Sequence, residues 1–319
     1  MSYNYLLLVI VLFAVMALYF RIAMRFKIID TPNDRSSHIK PTIRGGGIIF
    51  PVTILLFYLL NSFYYPYLAI AVLLSGAVSF ADDIRDLPRI FRFGVHSLAA
   101  GLVLFQAGVG ALPIILIVLA FILTVGMINA FNFMDGINGI TGFYSLAILA
   151  PLMLTETNPL NLELQSFMLV AILVFLFFNA RKKAACFAGD VGSVTIAVIM
   201  CFMLVQRIVV TDDYRYLGFF TLYLVDTGLT IIQRIRAGEK VFEAHRRHLF
   251  QVLSNEMRFP HLLVAIGYAV LQLLINLALL YIIPGIPGLI ITFAVFILIY
   301  IIVKMRLLKI TNPSAGAGA

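Results

Sequence analysis

The chain has no tryptophan, only two cysteines and few charged residues, which make up 12% of its 319 positions. Soluble domains carry roughly 25% charged residues, and 62% of this chain is hydrophobic, so a water-soluble globular fold is excluded. Cys186 and Cys201 are too few for a disulfide framework and are not spaced as a zinc site. Without tryptophan, any aromatic belt at a membrane surface must be built from Tyr and Phe.

The formal net charge is +8, which is compatible with nucleic acid or with an anionic lipid surface as a partner. The hydrophobic excess decides for membrane lipids, and no nucleic-acid partner is expected. A helix that crosses a bilayer needs about 20 mostly apolar residues, and eleven runs approach that length. They centre on 3–22, 45–61, 64–81, 94–109, 111–130, 138–155, 162–179, 190–206, 216–233, 262–282 and 285–304.

These runs predict an all-α, polytopic membrane bundle of about 11 transmembrane helices. No connecting segment exceeds about 30 residues, so no separate soluble domain is expected. The prediction is therefore a single transmembrane domain over 1–309, followed by a flexible, low-complexity tail over 310–319.

Lys and Arg segregate to one side of this predicted topology. Twenty-one of the 23 lie in the connections at 21–44, 82–93, 180–189 and 234–261 or near the C-terminus, and only Arg207 and Arg215 fall on the other side. The positive-inside rule then predicts an outward N-terminus, a cytoplasmic C-terminus and a retained first helix rather than a cleaved signal. Ten of the 15 acidic residues and all five histidines share the cytoplasmic side, so chemistry is expected there.

Asp82 and Asp83 end the third run, in the sequence DDIRDLPRIFRF. The helix dipole disfavours negative charge at that end, and adjacent carboxylates repel unless a proton, a cation or a basic side chain intervenes. The pair predicts a divalent-metal or phosphate site, with a loop of surface ion pairs as the alternative.

The fifth run leads into MINAFNFMDGINGI, where Asn129, Asn132, Asp135 and Asn138 recur every three residues. This spacing predicts one shared face of a helical or turn segment. Polar groups at membrane depth are costly unless they have hydrogen-bond partners, so this face predicts either mutual pairing or the binding of a polar ligand. A capped turn is the alternative.

Three further segments carry polar groups and leave alternatives open. The glycines that follow Arg44 either bind an anion or pack against another helix. Asp190, in GDVGS, either caps the eighth helix or binds a hard cation such as Mg²⁺. In HRRHLFQ, a helix would put His245 and His248 on one face, which suits an anion better than zinc; a solvated amphipathic surface helix is the alternative.

Together these segments resemble the polyprenyl-phosphate N-acetylhexosamine-1-phosphate transferase family, which includes the phospho-N-acetylmuramoyl-pentapeptide transferase. The resemblance is carried by motifs in the family's order: DTPNDRSSHIKPTIRGGG, DDIRDLPRIFRF, NAFNFMDGINGI, GDVGS, the stretch from Asp226 to Arg234, and HRRHLFQ. His96 stands where many relatives would have Gln.

The resemblance implies transfer of N-acetylhexosamine-1-phosphate from a UDP-N-acetylhexosamine to undecaprenyl phosphate at the cytoplasmic face of the inner membrane. UMP would be released and a cell-envelope glycan initiated. The implied cofactor is Mg²⁺, or Mn²⁺ in its place, and a homodimer stays open. Both reactants are anionic phosphates, so a cation and guanidinium groups suit the chemistry better than a covalent nucleophile.

The family motifs also imply roles for individual residues. Asp82, Asp83, Asp135 and Asp190 are the candidate catalytic residues, with Asp190 and Asp82 as metal ligands and Asp82 and Asp83 positioning or deprotonating the lipid phosphate. The candidate substrate-binding residues are Arg44, Arg92, Asn132, His245, Arg246 and His248. Asp226 either positions Arg234 or the groove that holds the lipid, or it is a buried carboxylate that pairs with another group inside the bundle.

Three rival functions remain. A secondary transporter places ionisable groups near the midplane of repeated halves, whereas only Asp226 lies inside an apolar run here and no repeat is visible. A CDP-alcohol phosphotransferase needs Ala-Arg soon after Asp-Gly, and this chain reads DGINGITGF. A catalytically silent scaffold is the third.

Overall fold

The structure of the chain is a computed structural model that describes residues 4–31, 41–239, 246–283 and 285–311. Long helices account for most of these residues, and each predicted apolar run coincides with one of them. The helices are α1 Tyr5–Phe26, α2 Ile49–Leu60, α3 Pro66–Ile84, α4 Arg89–Gln106, α5 Ile114–Met134, α6 Ile140–Thr155, α7 Pro159–Asn179, α8 Gly189–Thr211, α9 Thr221–Arg236, the short α10 Leu249–Gln251, α11 His261–Tyr281 and α12 Gly285–Thr311.

The shorter elements join these helices at the ends. Two-residue strands, β1 Ile29–Asp30 and β2 Thr42–Ile43, pair antiparallel between α1 and α2. A 3₁₀ turn covers Gly46–Ile48, another covers Tyr214–Phe220, and a π-helical turn over Val252–Glu256 continues α10.

The protein is an all-α polytopic membrane protein, as the composition predicted. Among the described residues, seven helices have the length and hydropathy to cross a bilayer, and the shorter apolar helices Gly46–Leu60 and Ile140–Thr155 lie between them. The number of crossings and the orientation of the two termini stay predictions.

Helix α8 lies at the centre of the bundle, where it packs against α3, α4 and α5. Its most hydrophobic window is 67% buried, compared with 22% for that of α12. A helix that is apolar on all sides is suited to the interior of a large bundle. Residues at the start of α8 are therefore held on several sides, which matters for the polar groups described below.

The glycines after Arg44 pack the start of α2 directly onto the start of α8. The N–H of Gly46 donates to the Phe187 carbonyl at 2.8 Å, and the N–H of Gly47 donates to the Ala188 carbonyl at 2.9 Å. A Cβ added to Gly47 would lie only 2.1 Å from the Cα of Gly192. Of the two interpretations of this glycine run, close packing is the one that the structure supports.

We expect Gly47→Ala to destabilise the protein strongly, because the new methyl group would overlap backbone that cannot move aside. Gly94→Ala is the matched control, since a Cβ at this helical position meets nothing within 4 Å. Thermal unfolding in detergent should show a lower midpoint for Gly47→Ala and an equal or higher midpoint for Gly94→Ala. Equal midpoints for the two variants would contradict the close crossing.

Candidate functional site

The four predicted acidic residues meet at one end of the bundle. Asp82 and Asp83 lie in the last turn of α3, Asp135 directly follows α5, and Asp190 lies in the first turn of α8. Helix ends that are distant in sequence therefore bring these carboxyl groups to one place.

Asp83 holds the start of α8. Its Oδ1 accepts the backbone N–H of Asp190 at 2.9 Å, and its Oδ2 accepts the N–H of Val191 at 3.1 Å. The Nε of Arg44 lies 2.7 Å from Oδ1, and the Asp83 side chain has no exposed surface. A carboxylate at a helix N-terminus satisfies free N–H groups and interacts favourably with the helix dipole. Asp83 is thus the N-terminal cap of α8, and the interpretation of Asp190 as that cap is wrong.

This contact requires glycine at position 189. Gly189 has φ +72°, a backbone conformation that other residues rarely adopt, and a Cβ there would lie 2.5 Å from the Oδ2 of Asp83. The glycine of the GDVGS motif therefore allows Asp83 to reach the helix.

Asp190 lies at the centre of the polar cluster. Its Oδ1 is 3.4 Å from Arg44 and its Oδ2 is 3.5 Å from Arg92. Asn132 and Asp82 also lie near enough to Asp190 to act on its carboxyl group. Arg92 pairs with Asp82 as well, so each arginine joins two acidic side chains. Only 21% of the Asp190 side chain is exposed.

The pairing of Asp82 with Asp190 is suited to a cation. Neighbouring carboxyl groups repel unless a proton or a positive charge lies between them, and Arg92 contacts both of these. Within the part of the chain that the structure describes, no group of three or more His, Cys, Asp or Glu is arranged to hold a metal ion. A magnesium ion needs fewer protein ligands than that, because it binds through one or two carboxylates and completes its coordination with water and substrate phosphates. The donor set therefore fits Mg²⁺ but not a closed structural metal site.

Asp135 is the acidic residue with the least support from basic groups. It accepts a hydrogen bond from the Thr141 hydroxyl at 2.5 Å. Burial raises its pKa to about 7, the Thr141 hydrogen bond opposes this shift, and the charge of Asp190 adds to it. Asp135 therefore carries a proton over part of the physiological pH range.

The predicted shared face of four polar residues around the end of α5 is only partly observed. The amide of Asn129 donates to the Val125 carbonyl in its own helix, and that of Asn138 donates to the Arg181 carbonyl. Helix α5 ends at Met134, so the three-residue spacing does not continue on one face. Asn132 is the amide of this set that lies near Asp190.

The HRRHLFQ segment packs against the loop that carries Asp135. At the start of α10 the side chain of Gln251 accepts the backbone N–H of His248 at 3.2 Å, and the His248 ring stacks on Phe133 with centroids 6.4 Å apart. Phe250 covers Gly136 so closely that a Cβ there would lie 2.9 Å from its ring. His248 thus lies beside the acidic cluster.

The remaining predictions for this segment divide into two groups. His245 lies outside the described residues, so its predicted role is not tested. Arg246 and Arg247 are described and are not helical, so the surface-helix interpretation is wrong for them. Arg247 pairs with Glu239 at 2.5 Å.

Asp226 does not pair with Arg234, which was one of the two alternatives from the sequence. Arg234 lies 3.2 Å from Glu239 instead, and Asp226 contacts His248 at 3.3 Å. The structure supports the other alternative, a carboxylate paired inside the bundle. His96 is buried on α4, where its Nε2 lies 3.5 Å from the Ser79 hydroxyl.

An apolar cavity of about 250 Å³ lies between α5, α8 and the segment before α9. Its lining includes Val109 and Tyr214 at one end of these helices and Met127 and Cys201 further along them. Met127 is two helical turns from the end of α5, which corresponds to roughly 10 Å of helix rise. The cavity therefore stops about two helical turns short of the polar end of α5.

The glycosyl transferase family 4 sequence model matches residues 65–208. Similar curated proteins are named undecaprenyl-phosphate alpha-N-acetylglucosaminyl 1-phosphate transferase. The one from Salmonella typhi is 24% identical over 261 residues, covering 74% of this chain and 71% of the relative. The one from Escherichia coli (strain K12) is 24% identical, covering 78% and 76%. The one from Thermotoga maritima is 25% identical, covering 80% and 83%. The resemblance inferred from the motifs is confirmed.

The pKa of Asp135 generates a testable pH dependence. The Asp135 carboxyl group holds its proton up to about pH 7 in the folded protein, whereas in an unfolded chain it loses the proton near its ordinary pKa of 3.8. The stability that this group contributes is therefore lost as the pH rises from about 4 to above 7. Asp135→Asn cannot ionise and keeps an acceptor for Thr141. Thermal unfolding in metal-free detergent solution should therefore show a midpoint for Asp135→Asn that rises relative to the wild-type midpoint as the pH increases from 5 to 8.

The exposed Asp86 provides the control for this measurement. Asp86→Asn should follow the wild-type midpoint at every pH. Parallel curves for Asp135→Asn and the wild type would contradict a raised pKa at Asp135.

Proposed function

We propose that this chain is a polyprenyl-phosphate N-acetylhexosamine-1-phosphate transferase of glycosyl transferase family 4. It would transfer the sugar-1-phosphate of a UDP-N-acetylhexosamine to undecaprenyl phosphate, release UMP and so initiate a cell-envelope glycan. The names of the similar proteins support this reaction class, and the motif order supports it independently.

One observation carries the proposal: Asp190 is held between Arg44 and Arg92 and beside Asp82. Both substrates are anionic phosphates, and transfer of a phosphoryl group needs charge stabilisation and positioning more than covalent catalysis. A compact cluster with alternating acidic and basic groups supplies both. The arginines can turn from carboxylate to phosphate oxygens because about a third of each side chain is exposed.

The cofactor in this proposal is Mg²⁺, with Mn²⁺ as a substitute, bound by Asp190 and Asp82. When bound, the ion would neutralise the diphosphate and stabilise the leaving UMP. Asp83 would not contact it, since both of its carboxylate oxygens are used by α8 and Arg44.

The role of general base is not assigned to Asp83 in this proposal. A phosphate monoester has a second pKa of about 6, so the lipid phosphate already carries the charge it needs near neutral pH. Asp83 positions Asp190 through the α8 N-terminus, and Asp82 together with Arg92 orients the attacking phosphate.

The nucleotide-sugar would lie on the opposite side of Asp190. Asn132 and Asp135 face it from the end of α5, and His248 approaches from the HRRHLFQ segment. Arg246, and His245 outside the described residues, would complete the contacts to its diphosphate or sugar. The protonated carboxyl group of Asp135 could donate a hydrogen bond to a carbonyl or phosphate oxygen.

The lipid acceptor would enter from the bilayer. The apolar cavity along α5 and α8 would hold part of a long polyprenyl chain whose phosphate reaches Arg92. The active site would then face the cytoplasm from the inner membrane, in a single catalytic domain over 1–309. The same geometry is compatible with a monomer or a homodimer.

Purified protein mixed with undecaprenyl phosphate, Mg²⁺ and a panel of UDP-N-acetylhexosamines should release UMP with at least one donor. Release should stop when either the lipid phosphate or the metal is left out. UMP release without lipid, or substrate flux into proteoliposomes with no UMP release, would contradict the proposal.

Asp190→Asn and Asp82→Asn should each lower turnover by about 100-fold or more, because each removes a carboxylate that would hold the cation on which charge stabilisation of the transferring phosphoryl group depends. Asp212→Asn is the matched control, since Asp212 is exposed at the far end of α8 and Asn tolerates its left-handed backbone. Turnover near the wild-type rate in either site variant, with unchanged detergent-solubilised yield, would remove that carboxylate from the mechanism.

A further inference from the structure

Asp226 is a fully buried carboxylate that joins four elements of the fold. It projects from α9 and accepts the Tyr268 hydroxyl of α11 at 2.8 Å and the Tyr300 hydroxyl of α12 at 2.9 Å. It also accepts the backbone N–H of Leu249 at 3.1 Å and contacts the Nδ1 of His248 at 3.3 Å. The HRRHLFQ segment is thereby tied to three helices through one side chain.

The contact with Asp226 determines which ring nitrogen of His248 carries hydrogen. An ionised carboxylate only accepts hydrogen bonds, so Nδ1 must donate to it. Nε2 is then the ring nitrogen that carries a lone pair and can accept a hydrogen bond. Phe133 and Phe250 lie near-parallel to the imidazole, with centroids 6.4 Å and 5.9 Å away, and they restrict rotation of the ring.

Lys304 provides positive charge for this carboxylate inside the bundle. Its Nζ donates to the Tyr300 hydroxyl at 2.8 Å and to the Thr230 hydroxyl at 2.9 Å, and the residue is only 2% exposed. One tyrosine hydroxyl therefore stands between the ammonium group and Asp226. Ionisable groups within a membrane bundle are stabilised by pairing of this kind, which lets Asp226 remain an acceptor.

We propose that Asp226 is a positioning residue that fixes the His248 imidazole in the Nδ1–H tautomer and holds it against the loop that carries Asp135. Tyr268 and Tyr300 hold Asp226 in place, so that α11 and α12, which lie beyond the residues matched by the family model, support the donor side of the site. This inference depends on the proposed function for its catalytic consequence, but not for its structural one.

A double-mutant cycle on UMP release tests whether Asp226 acts through His248. Asp226→Asn should lower kcat about 10- to 100-fold, the range typical of residues that orient a functional imidazole. His248→Ala should lower it at least as much, and the double variant should match His248→Ala within about 2-fold. Losses that multiply in the double variant would overturn the proposal, since a general structural defect would add to the loss of the imidazole.

The two tyrosines give a milder test in case Asp226→Asn does not fold. Tyr268→Phe and Tyr300→Phe each remove one hydroxyl and keep the ring, so each should lower kcat about 3- to 10-fold, the equivalent of one hydrogen bond. Tyr281→Phe is the matched control, because Tyr281 is 66% exposed at the end of α11. Wild-type kcat in both Tyr268→Phe and Tyr300→Phe would contradict the anchoring role.

Chemical modification separates this inference from the proposed function. Diethyl pyrocarbonate reacts with accessible imidazole, and peptide mass spectrometry can follow His248, which is 2% exposed in the folded protein. The reaction at His248 should be at least about 5-fold faster in Asp226→Asn than in the wild type, since the imidazole loses its anchor, and should not change in Asp212→Asn. An unchanged rate in Asp226→Asn would overturn the anchoring. Failure of the wild type to release UMP would instead overturn only the proposed function.

Discussion

The contact between the Asp83 carboxylate and the first N–H groups of α8 is the interaction on which the site depends. It places the start of the most buried helix next to the end of α3, and Arg44 completes it from the chain before α2. A buried carboxylate with fewer partners would be strongly destabilising. With three partners, the Asp83 carboxylate holds the start of α8 in place, and Asp190 projects from this first turn toward the other charged groups.

A second buried carboxylate plays a comparable part for the HRRHLFQ segment. Asp226 ties His248 to α11 and α12 as Asp83 ties Asp190 to α3. In both cases a carboxylate within the bundle positions a neighbouring functional side chain and is itself removed from solvent. This arrangement explains why a protein with few charged residues can still assemble a highly polar site.

The sequence was sufficient to predict the helices and most of the residues of the site. Apolar runs of the necessary length have few alternatives to membrane helices, and Asp82, Asp135 and Asp190 stand where polar groups are costly unless they are used. The partners of Asp83 could not be predicted, because they lie 107 and 108 positions away. The same limit applies to Tyr268 and Tyr300, whose spacing from Asp226 follows no local period. Local patterns identify which residues need partners, but the packing of distant helices decides which partners they find.

The central claim is that Asp190 and Asp82 together form one cation site at the meeting point of α3 and α8. Titration of the purified protein with Mn²⁺ in the presence of UDP, followed by electron paramagnetic resonance, tests it most directly. The account predicts one tightly bound ion per chain, lost in Asp190→Asn and retained in Asp212→Asn. Binding that is unchanged in Asp190→Asn, or absent from the wild type, would contradict it.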